Sequence, residues 1–231
     1  MKIEIVDFVA GAQQAQGIAV IIDVFRAFTT ACCCYDRGAK NIIAVDDSER
    51  ALDYRNQYHN CVLLGERFGQ RLPGFDFGNS PSEILAEDLR GKTIVHTTHA
   101  GTQGLVNAVN ADQVLTGAFV NARATAEFIL KQQPKLVTLV RMGLNANEQS
   151  DEDCMYADYL QTLLSGKPVD ELMLAGELKK SPYAARFFDD AQPWSPEADF
   201  ECCVDFNRYD FVLEAHKLNA NACQLKVHLN R

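Results

Sequence analysis

The run Ile18-Ala19-Val20-Ile21-Ile22-Asp23, followed after two residues by Arg26-Ala27-Phe28-Thr29-Thr30-Ala31-Cys32-Cys33-Cys34-Tyr35-Asp36-Arg37-Gly38, sets the reading of the whole chain. The first part is apolar at consecutive positions and ends on an acid, the pattern of a strand covered on both faces. The second, 26–37, is apolar nearly all round and predicts a buried central helix ended by Gly38. A buried strand feeding a buried helix is the start of a crossover unit. Further apolar runs at 42–45, 62–65, 93–97, 113–117 and 136–141 alternate with segments of helical period. The expectation is an α/β fold, three layers deep, with a largely parallel or mixed central sheet.

Outward from there, Ser48 is expected to cap a helix to residue 58, Asn121 to start one to 132, and Ser150 with Asp153 to open one to 164. Past Gly166 helical stretches are expected at 169–179, 182–189 and 200–219, covering the sheet or forming a second lobe with a boundary near 166–180. The 231 residues otherwise read as one unit. Segment 66–81, with three glycines and two prolines, is a long irregular loop of the kind that carries function.

The net charge of −9 argues against a protein that tracks nucleic-acid phosphates, although local arginines or a bound cation can still favour a small anion. No apolar run approaches the roughly 20 residues that span a bilayer, and the start lacks a basic region followed by an apolar stretch and a cleavage site. A cytoplasmic protein without a membrane partner is expected, with a homo-oligomer left open. The eight cysteines include the runs 32–34 and 202–203, which lack disulfide spacing and read as small buried hydrophobes rather than zinc ligands.

Ligands of open α/β sheets bind beyond the carboxyl ends of the strands. There this sequence places Asp23, Arg26, Thr29 and Thr30; Glu66 and Arg67; Thr97 to Thr102; Asn121 and Arg123; and Arg141 with Asp151, Glu152 and Asp153. Acids mixed with arginines, threonines and glycine amides suit a phosphorylated substrate held through a divalent metal. Asp23 and Glu66, leaving adjacent strands about 4.8 Å apart, are expected to share one ion. Plainer roles exist for each: Asp23 could cap the next helix, Glu66 could pair with Arg67 or Arg71, and Asp153 suits a helix start. His99 is a general acid or an ordinary loop histidine. The C-x5-R spacing of Cys61 and Arg67 does not make a phosphatase cradle, because residues 62–64 are strand. The D-x-D at Asp151 opens a helix and does not end a strand, and no dinucleotide or Walker loop is present.

The residues as a set are recognisable. Val20-Ile21-Ile22-Asp23-Val24-Phe25-Arg26-Ala27 with Thr29-Thr30, Gly65-Glu66-Arg67, Pro73-Gly74-Phe75-Asp76-Phe77-Gly78-Asn79-Ser80-Pro81, Thr97-Thr98, Gly101-Thr102, 118–122 and Glu152-Asp153 resemble, in order, the 2-phosphosulfolactate phosphatase family. The resemblance implies a magnesium-dependent phosphatase converting 2-phospho-3-sulfolactate to 3-sulfolactate and phosphate, a step of coenzyme M biosynthesis. Carried onto these positions, it implies catalytic roles for Asp23, Arg26 and Glu66, and Mg2+ ligands in Asp23, Glu66 and Asp153. It implies substrate contacts from Thr29, Thr30, Asn79, Ser80, Gly101 and Thr102. The chain departs from the family where T-T-N-G-T is replaced by the longer Thr97-Thr98-His99-Ala100-Gly101-Thr102, a change on the phosphate side that bears on the substrate. The competing expectation is a phosphometabolite-binding regulatory protein without turnover.

Overall fold

A computed structural model describes residues 1–229. Lys2–Asp7 forms β1 and Phe8–Gln14 forms α1, ahead of the apolar run, which is β2 (Ile18–Ile22) and buried at every position. The buried helix is α2 (Ala27–Asp36). There follow β3 (Asn41–Val45), α3 (Ser48–Gln57), β4 (Cys61–Arg67), the short β5 (Gln70–Arg71), α4 (Pro81–Leu85), β6 (Thr93–Thr97), α5 (Gly101–Asn107) and β7 (Gln113–Gly117). A 3-10 turn (Phe119–Asn121) leads into α6 (Ala122–Gln132), then β8 (Leu136–Arg141), α7 (Asp151–Leu164) and α8 (Glu171–Lys180). A 3-10 turn at Ala185–Phe188, α9 (Glu197–Cys203), β9 (Phe211–Asn219) and β10 (Ala222–Leu229) complete the described chain.

The strands make one mixed sheet in the order β1-β8-β2-β7-β9-β10-β3-β6-β4-β5. β2 runs parallel to both neighbours, with Val20 opposite Leu115 of β7 and Leu139 of β8. Its side chains alternate between layers: Ala19 and Ile21 pack in the cluster that contains α2, whereas Ile18, Val20 and Ile22 pack with residues of α6 and α7. β3 repeats the device, with Ile42 and Ala44 toward α2, and Ile43 and Val45 toward Ala51 of α3. Helices therefore cover both faces, and the fold is a three-layer α/β/α sandwich.

The expected adjacency of the strands carrying Asp23 and Glu66 is corrected. β7, β9, β10, β3 and β6 lie between β2 and β4, which would put the two ends roughly 29 Å apart in a flat sheet. The loop ahead of α5 nevertheless bonds to both, His99 N to Glu66 Oε1 at 2.8 Å and Gly101 N to Asp23 Oδ2 at 2.7 Å. The sheet is curled, with α2 inside the curl. One apolar cluster joins Phe28, Ala31 and Cys32 of α2 to Ile21, Ile42, Leu64, Ile94, Leu213 and Leu225 of six different strands.

The expected helix over 200–219 is also corrected. Helix ends at Cys203, and Phe211–Asn219 is a strand, paired antiparallel to β10 with Leu213 opposite Val227. The Leu-Glu-Ala-His-Lys-Leu run has ordinary helix propensity, but burying Phe211, Val212 and Leu213 in the middle of the sheet overrides it. Segment 182–189 is only the short 3-10 turn. Asp47, one residue before Ser48, caps α3 by accepting from Glu49 N and Arg50 N at 2.7 and 3.3 Å. Arg26 occupies the N-cap of α2 and not its first turn.

Candidate active site

Three buried carboxylates stitch together the loops at the strand ends. Asp23, just past β2, accepts from Ala27 N at 3.2 Å with Oδ1 and from Gly101 N at 2.7 Å with Oδ2. Glu66, near the end of β4, accepts from Gly69 N and His99 N, both at 2.8 Å. Asp153, in the first turn of α7, accepts from Val24 N at 3.1 Å and Gly143 N at 2.8 Å. Two glycines make these approaches possible. A Cβ on Gly101 would meet Asp23 Oδ2 at 2.7 Å, and Gly143 has φ +63 with Glu148 O only 2.1 Å from where a Cβ would be.

The three carboxylates and Gly143 line a cavity of about 290 Å³ with Asn79, His99, Glu152 and Arg186. Burial raises the Asp23 carboxyl to about 6 against the two amide bonds that lower it, and Glu66 adds to the rise. Burial likewise pushes Glu152 up to about 7, with Asp23 a smaller contributor, and raises Asp153, where Glu152 and Asp23 add their repulsion. Arg186 is the cation closest in influence. It donates to Phe25 O at 2.8 Å, its Nε is buried without a partner, and burial followed by the neighbouring Arg26 lowers its pKa. Glu152 Oε2, Asn79 Oδ1 and His99 Nδ1 are likewise shielded and unpartnered. Unsatisfied buried polar atoms are rare in folded proteins, and four of them belong to side chains that line this one cavity. The acidic donors are all carboxylate oxygens, the ligand type of a hard divalent cation, although no three of them lie within 4.8 Å of one another as the side chains stand.

The structure brings Asp23, Arg26, Glu66, Asn79 and Asp153 to this cavity. Other expected contacts lie outside it. Thr29 Oγ1 donates to Val24 O at 3.2 Å and Thr30 Oγ1 to Arg26 O at 3.0 Å, so both hydroxyls are spent on the backbone of the turn that precedes them. Thr102 Oγ1 is bonded to Thr98, donating to its O at 3.1 Å and accepting from its N at 2.9 Å. Gly101 contributes its amide to Asp23 and not to the cavity wall. Ser80 caps α4 and donates to Asp199 Oδ1 at 2.7 Å. Arg26 reaches the cavity, but its Nη1 is taken by an ion pair with buried Asp199 and by donation to Trp194 O at 2.8 Å, and its Nη2 donates to Gly69 O at 3.4 Å. Sequence reasoning named Glu152 in the acidic cluster and in the family motif but not among the metal ligands, and it assigned Arg186 no role. Glu152 could have been found from its place beside Asp153 at a helix start. Arg186, in a segment with no other chemical signal, could not.

Fold and cavity together describe a three-layer α/β/α protein whose strand-end loops gather buried carboxylates and arginines into one pocket. Residues 4–217 match the family model described as 2-phosphosulpholactate phosphatase. Among curated proteins, the chain is 32% identical over 235 residues to one from Carboxydothermus hydrogenoformans, covering 94% of each. It is 30% identical over 200 residues to one from Bacillus subtilis, with 85% of this chain and 86% of the relative aligned. A relative from Synechococcus is 34% identical over 217 residues, covering 87% of this chain and 88% of that protein. All three bear the name "Probable 2-phosphosulfolactate phosphatase". The chain belongs to the 2-phosphosulfolactate phosphatase family and is thereby a phosphoric monoester hydrolase.

Proposed function

We propose that this protein is a magnesium-dependent phosphatase that hydrolyses 2-phospho-3-sulfolactate to 3-sulfolactate and phosphate. The observation that carries the reading is Glu152, whose buried Oε2 has no partner, lining one cavity with Asp23, Asp153 and Arg186, whose Nε is also unpartnered. Asp23, Glu66, Glu152 and Asp153 supply the carboxylates that would hold the cation once their side chains close on it, since no three of them lie within 4.8 Å of one another. When bound, Mg2+ supplies positive charge to the phosphoryl oxygens and polarises the ester.

The chain's own residues do the rest. Arg186 supplies charge-assisted donors for the remaining anionic oxygens of phosphate or sulfonate. Asn79 Oδ1 offers an acceptor that can orient the attacking water. Water adds to phosphorus and gives up one of its protons, the bond from phosphorus to the C2 oxygen breaks, and that oxygen gains a proton, so that the net proton count is unchanged. His99, with its ring on the cavity wall and Nδ1 free, is the group placed to deliver it. Water is limited by the aromatic rim of Phe25, Phe68 and Trp194.

The test is phosphate release from 2-phosphosulfolactate and from a panel of phosphorylated hydroxy acids, with EDTA and with Mg2+ restored. Glu152→Gln should lower turnover by about 10²-fold or more with the far-UV spectrum unchanged. It should also raise the melting temperature of the metal-free protein by removing a repelling buried charge. Full turnover in EDTA would discard the metal, and binding without turnover would establish the regulatory alternative.

A further inference from the structure

The hairpin β9–β10 carries a second group of ligand-type side chains, on different elements from those lining the catalytic cavity. Glu214 and His216 are two residues apart on β9 and so share one face of the sheet. His228 comes from β10, whose register sets Lys226 opposite Glu214 and His228 opposite Val212, two residues along. The three ligand atoms lie within 4.8 Å of one another. Nε2 of His216 is 3.2 Å and Nε2 of His228 is 2.5 Å from the same Glu214 Oε2.

Both nitrogens are shielded from water, yet neither makes a directed hydrogen bond. An ordinary histidine–glutamate pair would leave at least one of them satisfied. Two imidazole nitrogens and one carboxylate oxygen converging on a single point is instead the arrangement of a three-ligand metal site with an open position. Atoms each about 2.0–2.1 Å from a common ion stand roughly 3.3 Å apart in tetrahedral geometry, a spacing these three can reach by rotamer adjustment. Phe128 of α6 packs on the His228 ring at 5.2 Å and restricts it. Among the described residues this is the one such cluster found.

We propose that Glu214, His216 and His228 bind a divalent ion of the zinc class, separate from the acid-rich catalytic site. Imidazole nitrogen selects it against magnesium, which prefers oxygen ligands. The exposed Lys226 projects from the same face and disfavours a bound cation, so moderate affinity is expected. The ion would clamp β9 to β10, the pair that joins the two halves of the sheet.

The experiment uses the full chain stripped with chelator and titrated with ZnCl2 by calorimetry in the presence of excess Mg2+, alongside a Glu152→Gln protein in which the catalytic cavity is altered. Wild type and Glu152→Gln should each bind one zinc at this site and melt at higher temperature with it. His216→Gln, His228→Gln and Glu214→Gln should each weaken that binding by about 100-fold or more, since outer-shell changes alone cost 10–100-fold. Cobalt absorption should show nitrogen ligation in wild type and lose it in His228→Gln. His216→Gln alters a side chain 39% exposed and is expected to fold. No zinc binding to wild type, or unchanged binding in the histidine variants, would overturn the proposal.

Discussion

Two buried side chains outside the carboxylate group show what single residues contribute. His96 in β6 is 2% exposed, its Nε2 has no partner, and burial pushes its pKa down to about 4. The folded protein therefore refuses a proton that the unfolded chain accepts below pH ~6.5. Stability from this residue is complete above that pH and is lost as pH falls toward about 4, a change of up to about 3 kcal/mol. The difference in urea midpoint between wild type and His96→Asn, followed from pH 7 to pH 4, should shrink on acidification. Asp199, fully buried, accepts from Arg26, Ser80 and Ser82 together. Asp199→Ala strands the Arg26 charge and should cost about 3–5 kcal/mol in denaturant unfolding. Arg26→Lys keeps the charge but loses the two-armed guanidinium, whose Nη1 reaches Asp199 and Trp194 and whose Nη2 reaches Gly69, and should lower both stability and kcat/KM.

At the scale of elements, α2 is the clearest case. Cys32, Cys33 and Cys34 are all buried, and burial raises each thiol, Cys33 to about 12. Alkylation of the native protein should spare all three, while the half-buried Cys61, Cys154 and Cys202 react first; peptide mapping after brief iodoacetamide treatment reads this. This helix and the parallel strands were legible in the sequence because continuous apolar runs have few other homes. β9 was not, because Phe211–Asn219 carries helix-forming residues and its strand state depends on β10 and on Leu115 of β7, more than 90 positions away. The acids of the site were legible from their strand-end positions. Arg186 was not, since the 3-10 turn that carries it is brought to the cavity by long-range contacts, Phe187 packing against Phe25 and Phe200 and Arg186 donating to Phe25 O. The threonines of α2 and α5 misled because a hydroxyl beside a motif looks the same whether it faces a ligand or the preceding turn.

On the scale of the whole molecule, the curl of the sheet is what makes an active site. Asp23 and Glu66 leave strands with five others between them and share a cavity because α2 fills the inside of the bend. Removing residues 210–231 would take out β9 and β10 from between β7 and β3 and leave two half-sheets with open edges. Such a chain should show no cooperative thermal transition and should aggregate on gel filtration. No helix among the described residues is long and apolar enough to cross a membrane. The place of the hairpin also fixes a timetable for synthesis. Ribosomes add roughly 5–20 residues per second and domains emerge N-terminal end first, so both half-sheets leave the ribosome before the pair of strands that unites them. Until β9 and β10 have been made, the nascent chain carries Asp23, Glu66, Glu152 and Asp153 yet has no curled sheet to bring them together, and it presents two unpaired strand edges open to aggregation.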